Sequence, residues 1–269
     1  MAMLGRVLVI AGSDSGGGAG IQADVKTITA LGGYAATAVT ALTAQNTLGV
    51  HGVLTTPPAF VRQQIEVVLQ DIGADVIKTG MLADAEIVAV VAQALEAHPE
   101  LPLVLDPVMV AKGGAALLSE GAITAIVQRL LPRATLATPN APEAARLTGL
   151  PVRTLEEQKA AGRALISAGA KAALVKGGHL EGERVADVLV TPEGEHVFES
   201  QRLAVRATHG TGCTLASAIA ARLAQGASLK AAVADGREFV FEAMRRAPGF
   251  GKGHAPLDHA WPLRERRSG

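Results

Sequence analysis

The segment Thr208-His209-Gly210-Thr211-Gly212-Cys213-Thr214 leads directly into an apolar helical stretch beginning near Leu215. The first N–H groups of a helix have no intrahelical acceptor, and glycine leaves them uncovered. Such a turn therefore suits a cluster of phosphate oxygens and the charge that develops on them. A glycine turn closed by a threonine cap would give the same local pattern. At this helix start Cys213 is expected to have a lowered thiol pKa, which fits a base or a nucleophile. As an isolated residue, a cysteine is also an ordinary small core side chain. A cysteine hydrolase needs an oriented histidine as well, and nothing in the sequence orients His209, four residues upstream.

Other polar groups fall where apolar runs end. Gly12-Ser13-Asp14-Ser15-Gly16-Gly17-Gly18-Ala19-Gly20 can bring bare backbone against a ligand, or form a plain tight turn. Gly18 to Ala23 satisfies G-x-G-x-x-A, but the acidic ribose partner that a dinucleotide fold needs about 20 residues on is missing. No Asp or Glu occurs between Asp24 and Glu66. Neither Lys26, Lys112 nor Lys252 lies in a Walker loop. Asp106 follows the run Leu103 to Leu105. In Thr138-Pro139-Asn140-Ala141-Pro142-Glu143 the spacing of Asn140 and Glu143 is that of a helix capping box, and equally that of oxygen ligands for magnesium beside nucleotide phosphates. Lys176-Gly177-Gly178 ends a further run and offers a point charge, or a solvated strand-end lysine.

These positions need a scaffold. Short apolar runs alternate with helical periodicity, the mark of strand-helix-strand units and a largely parallel sheet. Strands are expected at Arg6–Ala11, Ala35–Thr43, Asp75–Lys78, Leu103–Asp106, Thr135–Ala137 and Ala172–Lys176. Helices are expected at Ala19–Leu31, Pro58–Leu69, Ala85–Ala97, Gly121–Leu131, Leu155–Ala168, Thr211–Ala224 and Leu229–Arg245. Three extended stretches, Val185–Thr191, His196–Ser200 and Arg202–Arg206, read as an antiparallel meander, and the tail from Pro248 as irregular and solvated. In such a sheet ligands bind beyond the carboxyl ends of the strands, where all the groups above lie.

The 269 residues fit one α/β domain, 1–269. Apolar residues make up 49% and charged residues 19%, which excludes disorder. Lys plus Arg and Asp plus Glu both number 25, so no broad field gathers nucleic acid or anionic lipid. One cysteine excludes a disulfide framework. The absence of a signal-peptide pattern and of a ~20-residue apolar run points to a cytoplasmic protein.

Taken together the motifs resemble the hydroxymethylpyrimidine and hydroxymethylpyrimidine-phosphate kinases of thiamine biosynthesis, in the ribokinase-like superfamily. The matching segments are GSDSGGGAGIQAD (12–24), TALTAQNT (40–47), KTGML (78–82), LDPVMVAK (105–112), TPNAPE (138–143), LVKGG (174–178) and THGTGCT (208–214). The resemblance implies a three-layer α/β/α fold with a mostly parallel central sheet, ATP with Mg2+, and a homodimer. It also implies two successive phosphoryl transfers, first to the pyrimidine's hydroxymethyl oxygen and then to the monophosphate. By motif, Gly12, Asp24, Gln45, Met81 and Val108 correspond to pyrimidine contacts, and Lys176, Thr208, Gly210 and Gly212 to nucleotide contacts. Asp106, Asn140 and Glu143 fall on the metal side. Gly210, Thr211, Gly212 and Cys213 form the catalytic anion hole, with Cys213 where many related sugar kinases carry an aspartate. Gly16, Ala255 and Asp258 depart from the family pattern, which tends to serine, glycine and asparagine there. The alternatives are a pyridoxal kinase, against which the donor-acceptor amide of Gln45 argues, and a non-catalytic pyrimidine-binding protein.

Overall fold

A computed structural model describes residues 4–110, 114 and 117–265, so Ala111 and Lys112 of the fourth motif lie outside the described residues, as do 266–269 of the tail. The first strand, β1 (Arg6–Asp14), is apolar on both faces and lies inside the sheet, flanked by β2 (Tyr34–Asn46) and β4 (Val76–Thr79). Next to β2 lies β3 (Gly49–Thr55). Beyond β4 follow β5 (Leu103–Leu105), β6 (Leu136–Ala137), β7 (Ala173–Val175), β8 (Arg184–Thr191) and β9 (Gly194–Gln201), giving nine strands among the described residues in the order 3-2-1-4-5-6-7-8-9. The six inner strands pair in parallel; β3, β8 and β9 are antiparallel edges. Chain order reverses at β1, so a crevice opens at the carboxyl ends of β1 and β4.

Helices cover both faces, which is the three-layer arrangement expected. On one face α1 (Gly20–Ala30), α7 (Thr211–Ala224) and α8 (Leu229–Arg245) pack together. The small residues Ala216, Ala218, Ala220 and Ala221 let α7 press against the sheet, and Gly236 of α8 lies so close that a Cβ there would sit 3.0 Å from Ile219. The other face carries α2 (Pro58–Asp71), α3 (Ala85–Glu96), α4 (Glu120–Ala125), α5 (Ala141–Thr148) and α6 (Leu155–Ser167), over a core that includes Leu8, Ile10, Ile65, Leu95 and Leu105. No helix among the described residues is long and apolar enough to cross a membrane.

Several expectations are corrected. The helix expected over Gly121–Leu131 is regular only to Ala125; a π turn (Ile126–Leu130) and a 3-10 turn carrying Pro132 follow, because that proline cannot continue an α ladder. Arg202–Arg206 forms no strand, and the meander has two strands rather than three. The described tail is folded onto the protein: it carries α9 (Trp261–Glu265), and Ala255, Leu257, Asp258 and His259 are buried. His259 Nε2 lies 2.9 Å from Thr214 Oγ1 on α7, and burial lowers its pKa to about 4. The unfolded chain, with an ordinary histidine near 6.5, binds the extra proton between these values. Stability is therefore full above pH 6.5 and should fall by about 3 kcal/mol as pH drops toward 4. Urea unfolding across this window should show the slope in wild type and lose that share in His259→Asn; equal slopes would refute it.

Candidate active site

Beyond the carboxyl ends of the strands lies a cleft of about 1220 Å3. It brings together Gly12, Gln45, Met81, Val108, Asp106, Asn140, Glu143, Lys176, Thr208 and the whole turn Gly210–Cys213. Asp24 is absent from its walls. That residue, expected as a pyrimidine contact, is fully buried on α1, with both carboxylate oxygens 2.9 Å from Lys78 Nζ and a further hydrogen bond from Ser217 Oγ at 2.6 Å. Burial pushes the Asp24 carboxyl up. It also works against the charge on Lys78, but Asp24, Cys213 and Asp106 together outweigh that and hold the lysine above its ordinary range. The pair is internal structure behind the cleft wall.

Where β1 enters the cleft wall it shifts register between Ala11 and Ser13, a bulge beside the cleft-lining Gly12. A Cβ at Gly12 would stand 3.2 Å from Met81 Sδ. Gln45 is the penultimate residue of β2, and its Oε1 lies 3.0 Å from the Thr43 hydroxyl that donates to it. The Gly12–Gly20 loop is organised by Asp14, whose carboxylate accepts the N–H groups of Gly16, Gly18 and Ala19 at 2.8, 3.0 and 2.9 Å. His209 Nε2 also meets it at 2.8 Å. Burial opposes the Asp14 charge, yet these bonds, that of His209 foremost, hold the carboxyl below the usual range. His209 is thus oriented after all, by a partner 195 positions away that no local pattern reveals.

The helix α7 starts at Gly210, in a left-handed conformation (φ 82°), and no side chain caps it. The threonine-cap alternative is excluded: Thr211 donates to the Thr208 carbonyl, and the Thr208 hydroxyl meets His254 Nδ1 at 3.0 Å. The opening amides of α7 are left without a side-chain partner. A Cβ at Gly212 would lie 3.4 Å from Lys176 Nζ and 3.8 Å from Asp106 Oδ2, so a cation and a carboxylate converge on this helix start. Lys176 is 3.1 Å from Asp106 Oδ1, which also accepts from Thr138 Oγ1, whereas Asp106 Oδ2 is buried with no hydrogen-bond partner. Burial works against the charge on Lys176, but Asp106 and Glu143 raise its pKa above the ordinary value.

Asn140 and Glu143 form the capping box of α5, each side chain accepting the other's backbone N–H, at 2.9 and 2.8 Å. Burial nonetheless raises Glu143 above the usual carboxylate range against the pull of Lys176. The expectation of a lowered thiol pKa at Cys213 is overturned. Burial pushes it up to about 11, and the opposing influence of Lys78, with a hydrogen bond from the Gly20 backbone, does not compensate. The helix-start argument holds for exposed thiols; here the loss of water dominates.

The rest of the cleft was not foreseen. Val205, Leu215, Val240, Phe241 and Met244 give its far end apolar walls, with Arg237 and Glu238 among them. The signal in the sequence was only the apolar face of α8, which any packed helix shows.

Comparison with known proteins bears on this site. A family model described as phosphomethylpyrimidine kinase matches residues 14–258. The chain is 49% identical over 259 residues to the hydroxymethylpyrimidine/phosphomethylpyrimidine kinase of Streptomyces coelicolor, covering 96% of each. It is 50% identical over 255 residues to the thiamine biosynthesis bifunctional protein ThiED of Geobacter sulfurreducens, spanning 95% of this chain and 52% of that protein. The solved structure of Staphylococcus aureus pyridoxal kinase in complex with AMP-PCP and pyridoxal superposes with a TM-score of 0.88 at 35% identity, over 96% of this chain and 94% of that one.

Proposed function

The chain belongs to the phosphomethylpyrimidine kinase family, and from that premise we propose that its cleft seats a hydroxymethylpyrimidine at the end of β1 and the phosphates of ATP at the start of α7. The protein is an ATP-using kinase that phosphorylates hydroxymethylpyrimidine and then its monophosphate. The observation that carries the assignment of the phosphates is the convergence of Lys176 Nζ and Asp106 Oδ2 on the Gly212 backbone, beside uncapped helix amides. Phosphoryl transfer asks mainly for alignment and charge stabilisation, which amides and a lysine supply.

In this assignment the backbone at Gly12, the Gln45 amide and the apolar faces of Met81 and Val108 hold the ring. The amides of Gly210–Cys213 hold the migrating group, Lys176 and Thr208 hold the nucleotide phosphates, and the apolar far end of the cleft holds the base. Cys213, in its thiolate form, takes the proton of the attacking hydroxyl as the new O–P bond forms and the bond to the leaving diphosphate breaks. The donor set fits magnesium: the partnerless Asp106 Oδ2 is a hard oxygen with no other use, Glu143 stands beside it, and Asn140 keeps one amide lone pair. When bound, the ion would neutralise phosphate charge.

A second acceptor is favoured by one observation: the fold superposes closely on a pyridoxal kinase holding pyridoxal. One assay separates the two. Purified protein with ATP and Mg2+ should convert hydroxymethylpyrimidine to mono- and diphosphate, with pyridoxal turned over more slowly in parallel. The reverse preference would overturn the substrate assignment.

The proposed homodimer is supported by the sheet edge. Leu42 and Leu54 face each other across β2 and β3 and are 50% and 68% exposed, with Val53 and Leu48 also open. An edge strand with such a patch invites self-pairing. Leu54→Arg should convert a dimer to a monomer in sedimentation equilibrium; a variant that stays dimeric, or a monomeric wild type, removes the proposal.

A further inference from the structure

The mechanism above uses the backbone of Gly12 and the amides of Gly210–Cys213, but not the two ionisable side chains that lie between those loops. We propose that Asp14 and His209 form a clamp that fixes the separation of the pyrimidine loop and the phosphoryl cradle, acting as positioning residues for transfer. The inference rests on the kinase assignment given above.

Both side chains are buried, at 3% and 6% exposed, and they meet at 2.8 Å. Asp14 gathers its own loop through three backbone N–H groups, so the loop moves with that carboxylate. His209 immediately precedes the left-handed Gly210, so the cradle moves with the imidazole. The loops are packed without slack: a Cβ at Gly210 would fall 1.9 Å from the Gly18 carbonyl oxygen, and one at Gly18 would fall 2.3 Å from His209 Cδ2. A buried polar pair is seldom the best source of stability, since apolar residues of similar volume often do as well. What it supplies that packing does not is a fixed distance and direction between two segments, each holding a different reactant. Because each reactant binds its own loop, loosening the clamp leaves each affinity in place while the oxygen and phosphorus lose alignment. A misplacement of about 1 Å costs on the order of 100-fold in rate.

The test uses the full chain and four variants: His209→Ala, His209→Gln, Asp14→Asn and the double variant Asp14→Asn/His209→Ala. Turnover is measured with ATP, and dissociation constants for hydroxymethylpyrimidine alone and AMP-PCP alone by calorimetry. His209→Ala and Asp14→Asn should each lose about 30- to 100-fold in kcat, with both dissociation constants within about twofold of wild type. His209→Gln, whose amide nitrogen can still reach Asp14, should recover most of the loss. The double variant should be no slower than either single one, because the two residues act as one unit. Unchanged kcat in His209→Ala or Asp14→Asn, in a protein that melts like wild type, would overturn the clamp, as would losses that multiply in the double variant. A joint fall in Tm and both affinities, unrelieved by glutamine, would make the pair merely structural. A wild-type protein that turned over pyridoxal alone would refute the substrate assignment, leaving the variant-to-wild-type ratios on pyridoxal to judge the clamp.

Discussion

Cys213→Ala should lower kcat by about 100- to 10,000-fold while leaving the dissociation constant of hydroxymethylpyrimidine within about twofold of wild type. The thiol lies at the start of α7, in the cleft wall, with the Gly20 backbone donating to it. In the proposed assignment it adds little to ring recognition, which falls to Gly12, Gln45, Met81 and Val108, and its removal opens only a small gap. Its pKa has a second consequence. With burial holding the thiol near 11, only about one free molecule in 10,000 carries a thiolate at pH 7. If that thiolate takes the hydroxyl proton, kcat/KM should rise about tenfold per pH unit from 7 toward 10, because this parameter reports the ionisation of the free protein. The alanine variant should lose the slope. A flat wild-type profile, or equal losses of turnover and affinity, would remove the thiol from proton transfer.

Asp24→Asn should strike stability instead. The substitution leaves the fully buried Lys78 without its carboxylate, and breaking such a pair costs about 3–5 kcal/mol, a large part of the ~5–15 kcal/mol that holds a domain together. Thermal unfolding should drop by roughly 10 °C. Lys78→Met, which removes the other charge, should behave alike, whereas the double change Asp24→Leu/Lys78→Met should recover part of the loss. In the folded fraction the KM for the pyrimidine should stay within about twofold. An elevated KM at an unaltered melting temperature would return Asp24 to the substrate.

The two cases show where sequence patterns carried and where they did not. Strand runs such as Arg6–Ala11 and Leu103–Asp106 were legible because burial on both faces demands apolar continuity, and the helices Thr211–Ala224 and Leu229–Arg245 end where their periodicity ends. The edge strand β3 escaped notice, since Gly49, His51 and Gly52 break any alternation and its side chains are mostly exposed. Strand-end motifs located the cleft because topology sends every parallel strand to the same rim. What they could not convey was pairing at long range: Asp24 with Lys78, Asp14 with His209, or the depth of Cys213. A carboxylate in a matching motif looks the same whether it faces a ligand or a lysine. Only the fold decides, and for Asp24 it chose the lysine.

The folded tail sets an order of assembly. Gly251 and Gly253 lie against Thr47, His254 N–H donates to the Thr47 carbonyl at 2.9 Å, and His209 N–H donates to Ala255 at 3.3 Å. The turn after β2 and the cradle before α7 are thus completed by segments that follow them in the chain. On a ribosome, where amino-terminal parts emerge first, β1, β2 and β4 can associate long before residues 251–259 exist. The nascent chain acquires its sheet early and its competence late, and until then its half-built cleft presents an open apolar seam that a chaperone would have reason to cover.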